Sequence, residues 1–158
     1  MPIRDFVKKV VSKTFSPTLR ISKISSEEID ACLEVCADAL SHVMTREGVK
    51  QYTNGVADWN ISVKAEYGGK IVGCYILNKR PISSMQHCAN EGLERYEKMK
   101  GVQGVALAVL PEYRDLGIGK KLRQYPLAAG YDYIWGLHMK SLHNIENWVK
   151  FGRRIICD

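Results

Sequence analysis

Between Gly101 and Leu110 the chain runs ten residues without a charge, and Pro111 ends the run. Such a stretch suits a central strand covered on both faces, and proline cannot continue its hydrogen-bond ladder. Gly117 and Gly119 follow, and from Lys120 the pattern is helical through about Ala129. A strand that hands over to a helix across a glycine loop is the organising unit of this chain. The rest of the sequence has to be arranged around it.

Upstream, Thr18 to Ile24 alternates polar and apolar residues, as a half-buried strand does. Ser25 and Glu28 have capping-box spacing. The helix that follows carries Ile29, Cys32, Leu33, Cys36, Ala37, Leu40 and Val43 on one stripe. A short helix is expected over 46–52, with Asn54-Gly55 as a turn. Residues 61–67 and 70–77 read as two strands of a hairpin, joined by Gly68-Gly69 in the positive-φ conformations of a tight turn. Residues 81–100 form a polar insertion, expected to be partly helical over 90–98. It carries Glu91, Glu94 and Glu97. Residues 131–139 read as another strand, and 144–152 as a last helix. Before all of this, residues 3–15 have helical apolar spacing with a lysine-rich outer face. The organisation expected is an N-terminal basic helix over 1–16 and one mixed α/β domain over 17–158.

The 158 residues are enough for one continuous core. No apolar run approaches the roughly 20 residues of a membrane span, and the N-terminus lacks a secretory pattern, so a cytoplasmic protein is expected with no membrane partner. The five cysteines include no C-x-x-C pair. This fits buried thiols better than a disulfide framework or a metal site. The net charge of +6 is spread along the chain without a dense run, which disfavours nucleic acid and leaves the phosphates of a nucleotide-bearing cofactor as a fitting counterpart.

The strand–loop–helix unit carries the chemistry. A helix N-terminus presents unpaired N–H groups and about half a positive charge. Glycine lets a phosphate reach the backbone, and Lys120 and Lys121 add charge. Together these predict a phosphate or pyrophosphate site. The spacing is not that of a P-loop. A dinucleotide fingerprint is set aside as well, since it needs three glycines and a parallel βαβ setting.

The string V-x-P-x-x-R-x-x-G-x-G, from Val109 to Gly119, resembles the central acetyl-CoA motif of the GNAT acetyltransferase superfamily. The strand–helix–hairpin order over residues 18–80 is similar to that family's N-terminal half, and Asn144 is similar to an Asn of its C-terminal motif. The fold implied is α/β: a mostly antiparallel mixed sheet flanked by helices, here with an extra N-terminal helix and a shortened C-terminus. The resemblance implies that backbone groups of Leu107, Ala108 and Val109 pair with the pantetheine arm, on a strand splayed from its neighbour. A strand N–H there would polarise the thioester carbonyl. It implies that Arg114, Asp115, Leu116, Gly117, Ile118, Gly119 and Lys120 hold the pyrophosphate through backbone amides. Asn144 would fix the distal pantetheine, or serve as a helix N-cap.

The activity implied is transfer of acetyl from acetyl-CoA to a primary amine, small-molecule or protein, without a metal. Many relatives have a tyrosine seven residues after the Asn to protonate the leaving thiolate; Phe151 stands there instead. Tyr131, Tyr133 or water then takes that role, or the thiolate leaves unaided. For the base, His138 is the first candidate because imidazole titrates near neutrality; Glu66, Tyr133 and His143 are the others. The family continues past the last helix with two more strands, whereas this sequence stops at Asp158. That leaves the acceptor pocket open or completed by a second copy in a homodimer. Two other readings stand beside the enzyme: a non-catalytic acyl-CoA-binding or regulatory module, suggested by Phe151, and an interaction protein using the basic N-terminal helix.

Overall fold

The computed structural model describes residues 17–85 and 92–136. The helices expected over 3–15 and 144–152 lie outside those residues, as do His138, His143, Asn144 and Phe151.

Strand β1 (Leu19–Lys23) leads into a 3-10 turn, Ser26–Glu28, and helix α1 (Ile29–Leu40). The Ser25 N–H donates to the Glu28 carboxylate at 2.9 Å, closing the capping box where its spacing predicts one. Helix α2 (Arg46–Val56) follows, its first turn capped by the Thr45 hydroxyl, which accepts from the Gly48 N–H at 3.2 Å. The helix runs on through Asn54-Gly55 instead of turning there. Val49 and Thr53, one turn apart, are both buried, and the Asn54 side chain accepts from the Trp59 indole at 3.2 Å. Burial and that bond outweigh the local turn preference.

Strands β2 (Val63–Tyr67) and β3 (Lys70–Asn78) form the expected hairpin, with Gly68 at φ 60 and Gly69 at φ 81. Strand β4 (Gly101–Val109), helix α3 (Ile118–Ala128) and strand β5 (Tyr133–Trp135) complete the described elements. The five strands form one sheet in sequence order. Strands β1 to β4 are antiparallel neighbours, and β5 runs parallel to β4.

Helices cover both faces of the sheet. On one face, Cys32, Val35, Cys36 and Ala39 of α1 and Val49 of α2 pack on Cys74, Ile76 and Ala108. On the other, Ile118 and Leu122 of α3 pack on Val63, Ala65, Val72 and Tyr75. The cysteine stripe of α1 meets a third thiol: Cys36 Sγ lies 3.4 Å from Cys74 Sγ, and all three are free and buried. Hydrogen bonding to Cys32 and Cys36, together with burial, holds the Cys74 thiol well above its ordinary pKa.

The insertion over 81–100 is helical in part, within the 90–98 stretch where that was expected. Its described parts are two 3-10 turns, Ile82–Ser84 and Leu93–Tyr96. They build a small core of Ile82, Met85, Leu93 and Trp135, and the Trp135 indole donates to the Arg80 carbonyl at 2.9 Å. Three apolar side chains, Ile82, Met85 and Leu93, pack with Trp135 and hold this segment against β5, while Glu94 and Glu97 face solvent.

Candidate functional site

The site begins with an asymmetry in β4. On one side the strand pairs with β3 along most of its length. On the other it meets β5 only at Gly101, Val102 and Gln103. Among the described residues, 104–109 therefore have no strand along that second edge. The central strand was expected to be covered on both faces, yet Gly104, Val105, Ala106 and Leu107 are only half-buried, with no described strand beside them.

Antiparallel geometry decides which backbone groups face the opening. The Leu110 N–H donates to the Val72 carbonyl at 2.9 Å, so residues two apart from Leu110 also turn their N–H and C=O toward β3. Ala108, opposite Cys74, is one of them. Leu107 and Val109 turn theirs to the open edge. Of the three residues assigned to a pantetheine arm, Leu107 has its backbone groups on the unpaired edge, Val109 offers its N–H there while its carbonyl accepts from Arg114 Nε, and the groups of Ala108 are engaged with β3. Past Ala106 the register shifts, leaving Val105 as a bulge that bends the strand next to the last described pair with β5.

At the other end of β4, Pro111–Tyr113 form a 3-10 turn. Asp115 at φ 64 and Gly117 at φ 76 then reverse the chain into α3. Gly117 is the N-cap residue and offers no side-chain bond. Its carbonyl accepts from the Lys121 N–H at 3.1 Å, so the N–H groups of Ile118, Gly119 and Lys120 have no intrahelical acceptor. No atom lies within 4 Å of where a Cβ on Gly117 would sit, and the nearest to Gly119 is Val109 Cγ2 at 3.9 Å. A phosphate-sized group thus has access to both the amides and the positive end of the helix dipole. Leu116 and Lys120 are exposed on the rim. This unit is a parallel βαβ, so of the two arguments against a dinucleotide fingerprint only the glycine count stands.

Arg114 acts away from that rim. Its Nε donates to the Val109 carbonyl at 3.2 Å and its Nη2 to the Ala39 carbonyl at 3.4 Å, bracing the loop against the C-terminal turn of α1.

Three of the acid–base candidates are described, Glu66, Tyr131 and Tyr133, and each has a contact of its own; the Lys100 ammonium lies 4.6 Å from the centroid of the Tyr131 ring. Glu66 accepts from Arg20 at 2.7 Å and pairs with Lys64 at 3.1 Å. Hydrogen bonds from Arg20 and then Lys64 hold its carboxyl below the usual range, which weakens it as a base. Lys64, which strand alternation places on a polar face, is 4 % exposed and also pairs with Glu28. Burial opposes its charge, but the bonds to Glu28 and Glu66 leave its pKa raised. Tyr133 packs on the Tyr96 ring at 4.8 Å between centroids and covers Gly101, where a Cβ would fall inside the tyrosine ring. That is the closed end of the β4–β5 pair.

The sequence reading missed one residue at the fork. Tyr75 of β3 crosses to Gly104, the first β4 residue beyond the last β5 pair. A Cβ on Gly104 would overlap the Tyr75 hydroxyl and lie 3.0 Å from ring carbons Cε2 and Cζ. Two glycines inside an apolar run were the available signal, since glycine within a strand marks a bulge or a close approach.

An open groove of about 670 Å³ lies elsewhere, between α1 and residues 110–112. Its acidic walls are already neutralised: Glu34 and Asp38 pair with Arg46, and Glu112 lies 3.8 Å from Lys70. Among the described residues no cluster of three or more potential ligands is placed to hold a metal, and no helix is long and apolar enough to cross a membrane.

The model of the acetyltransferase (GNAT) family matches residues 41–133, a span from the end of α1 to the start of β5. No curated protein matches the chain. Solved structures are similar in fold at low identity. A GNAT family acetyltransferase from Brucella melitensis, solved with acetyl-CoA, superposes with a TM-score of 0.60 at 18 % identity, over 87 % of this chain and 84 % of its own. A ribosomal-protein-alanine N-acetyltransferase from Brucella melitensis biovar Abortus 2308 gives 0.58 at 11 %, over 87 % and 93 %. A protein from Bacillus halodurans C-125 described as a transcriptional regulator gives 0.62 at 13 %, over 89 % and 96 %. At such identities likeness speaks for the fold, and differently described proteins share it.

Proposed function

The chain belongs to the acetyltransferase (GNAT) family, and from that premise we propose that it transfers acetyl from acetyl-CoA to a primary amine. The observation that carries this reading is the pairing of an uncapped α3 N-terminus with an open β4 edge leading away from it. The residues present fit the cosubstrate: glycine and free amides at one end, unpaired strand groups along the way, and a fork at the other end. When bound, acetyl-CoA supplies an acyl group activated as a thioester.

In this reading the N–H groups of Ile118, Gly119 and Lys120 receive the pyrophosphate, and Asp115, Leu116 and Gly117 shape the approach. Arg114 keeps the loop in place from behind. Leu107 and Val109 align the pantetheine arm, and a β4 N–H near the bulge donates to the thioester oxygen as negative charge develops there. His138, three residues beyond Trp135 in sequence, is the proposed base that takes a proton from the amine. Asn144 is the proposed anchor for the distal arm. With Tyr133 and Glu66 engaged in packing and ion pairs, water is the proposed proton source for the departing thiolate.

Isothermal titration tests the cofactor half of this reading: acetyl-CoA is expected to bind the folded protein, and no binding at millimolar concentration refutes it. Thiol release across a panel of polyamines, aminoglycosides, amino acids and peptides tests the transfer half. Phe151 favours one second reading, an acyl-CoA-binding module without catalysis. Amine-dependent thiol release would eliminate it.

A further inference from the structure

The fork between β4 and β5 has a floor, and one side chain sets its height. Among the described residues, pairing with β5 ends at Gln103 opposite Trp135, and the β4 edge is without a strand partner from Gly104. The five steps from Val109 back to Gly104 span roughly 17 Å at strand rise, comparable with an extended pantetheine arm. An arm anchored at the α3 N-terminus and laid on this edge therefore ends its thioester near Gly104 and the Val105 bulge. Acyl carbons beyond the thioester have to find room at the fork.

That room is occupied from two directions. In the plane of the sheet, β5 closes on Gln103. On the α3 face, the Tyr75 ring lies over Gly104 so closely that even a methyl group there would overlap it. Tyr75 is itself 4 % exposed and wedged in the core formed with Val102 and Leu122, so it cannot swing aside without displacing close-packed neighbours. Glycine at 104 does not create a pocket, because the space a side chain would fill is already taken by the tyrosine.

We infer that Tyr75 is the residue that limits acyl-chain length, restricting the site to an acetyl-sized group. The inference rests on the acyl-CoA reading given above and adds to it a specificity determinant on β3, a strand that contributes no cofactor-binding backbone.

The test compares equilibrium binding of CoA, acetyl-CoA, propionyl-CoA and butyryl-CoA to the native chain, Tyr75→Phe and Tyr75→Leu. Each affinity is normalised to that of CoA for the same variant, so a general loss of stability cancels. The native chain is expected to bind butyryl-CoA roughly tenfold more weakly than acetyl-CoA, the scale of forcing surplus methylenes into filled space. Tyr75→Leu removes the ring and is expected to bring the two within about twofold, well below the tenfold native gap. Tyr75→Phe keeps the core filled and removes only the hydroxyl over Gly104. It is expected to relax discrimination against propionyl-CoA while still excluding butyryl-CoA, and it decides the matter if the leucine variant does not fold. Equal binding of acetyl-CoA and butyryl-CoA by the native chain overturns the inference. So does discrimination that is the same in both folded variants as in the native chain. In either case CoA binding leaves the cofactor reading intact. Failure of the native chain to bind CoA or any thioester removes that reading and this inference together.

Discussion

Arg114 reaches the carbonyl of Ala39 at 3.4 Å, joining the loop after β4 to the last turn of α1, 75 residues earlier in the chain. The arginine of the motif thus neutralises the negative end of one helix while the amides beyond it open the positive end of another. Its second bond, to the Val109 carbonyl, fixes the point where strand becomes loop. A side chain held this way positions the loop before α3, and in the proposed function it acts on the phosphate only through the backbone.

Arg114→Ala is therefore expected to cost about 1 kcal/mol of stability, the scale of the net loss of exposed hydrogen bonds. It should also weaken CoA binding while leaving its salt dependence unchanged. Denaturation and titration at two ionic strengths check this. A direct arginine–phosphate contact would instead flatten the salt dependence when removed, because the lost term would be coulombic and screened.

Gly117 adopts φ 76 with open space where its side chain would be. Gly117→Ala is expected to destabilise the fold by about 1 kcal/mol through backbone strain alone. Binding of CoA should fall further than stability does, because the new methyl group stands on the path to the amides. Equal affinity in the folded variant would count against a phosphate at this turn.

Glu28 gives a prediction in acid. The hydrogen bond from Lys64, followed by the one from the Ser25 N–H, lowers its pKa from 4.5 to about 2. A carboxyl depressed in the folded state contributes stability above its unfolded pKa and loses it as pH falls toward the folded value. The stability gap between the native chain and Glu28→Gln should be constant above about pH 4.5 and close progressively toward pH 2. Urea midpoints measured across that range check it; a gap that persists at the acid end would show that Glu28 acts by packing. The sign reverses for Lys64. Its raised pKa makes its contribution complete below the unfolded value of 10.5, and lost as pH rises through the folded one.

The acid–base assignments separate in two substitutions. Tyr133→Phe keeps the ring that covers Gly101 and should leave the transfer rate within a few-fold. His138→Gln should lower kcat by roughly 10² or more, the contribution of a general base, and abolish the dependence of kcat/KM on a group titrating near neutrality. A large loss in Tyr133→Phe at unchanged stability would return the tyrosine to the mechanism.

Several parts of this protein were legible along the chain because local backbone rules write them. Pro111 ends a strand, Gly68-Gly69 closes a hairpin, Ser25 and Glu28 cap a helix entry, and Gly117 turns a strand into α3. Each is a constraint on φ or on a backbone donor within a few residues, so the sequence by itself determined the strand–loop–helix unit and the exposed amides at its joint.

Tertiary structure decided where that unit opens. Among the described residues β5 pairs with β4 only as far as Gln103, which leaves the Leu107 backbone and the Val109 N–H without a strand partner, and pairing with β3 engages Ala108. Tyr75 reaches Gly104 from 29 residues away, Lys64 is drawn inward by Glu28 and Glu66, and burial of Thr53 carries α2 through a turn-forming pair. These outcomes depend on which surfaces meet. A contact between distant segments is fixed by the packing of both against a shared core, and neither segment's own pattern contains the other.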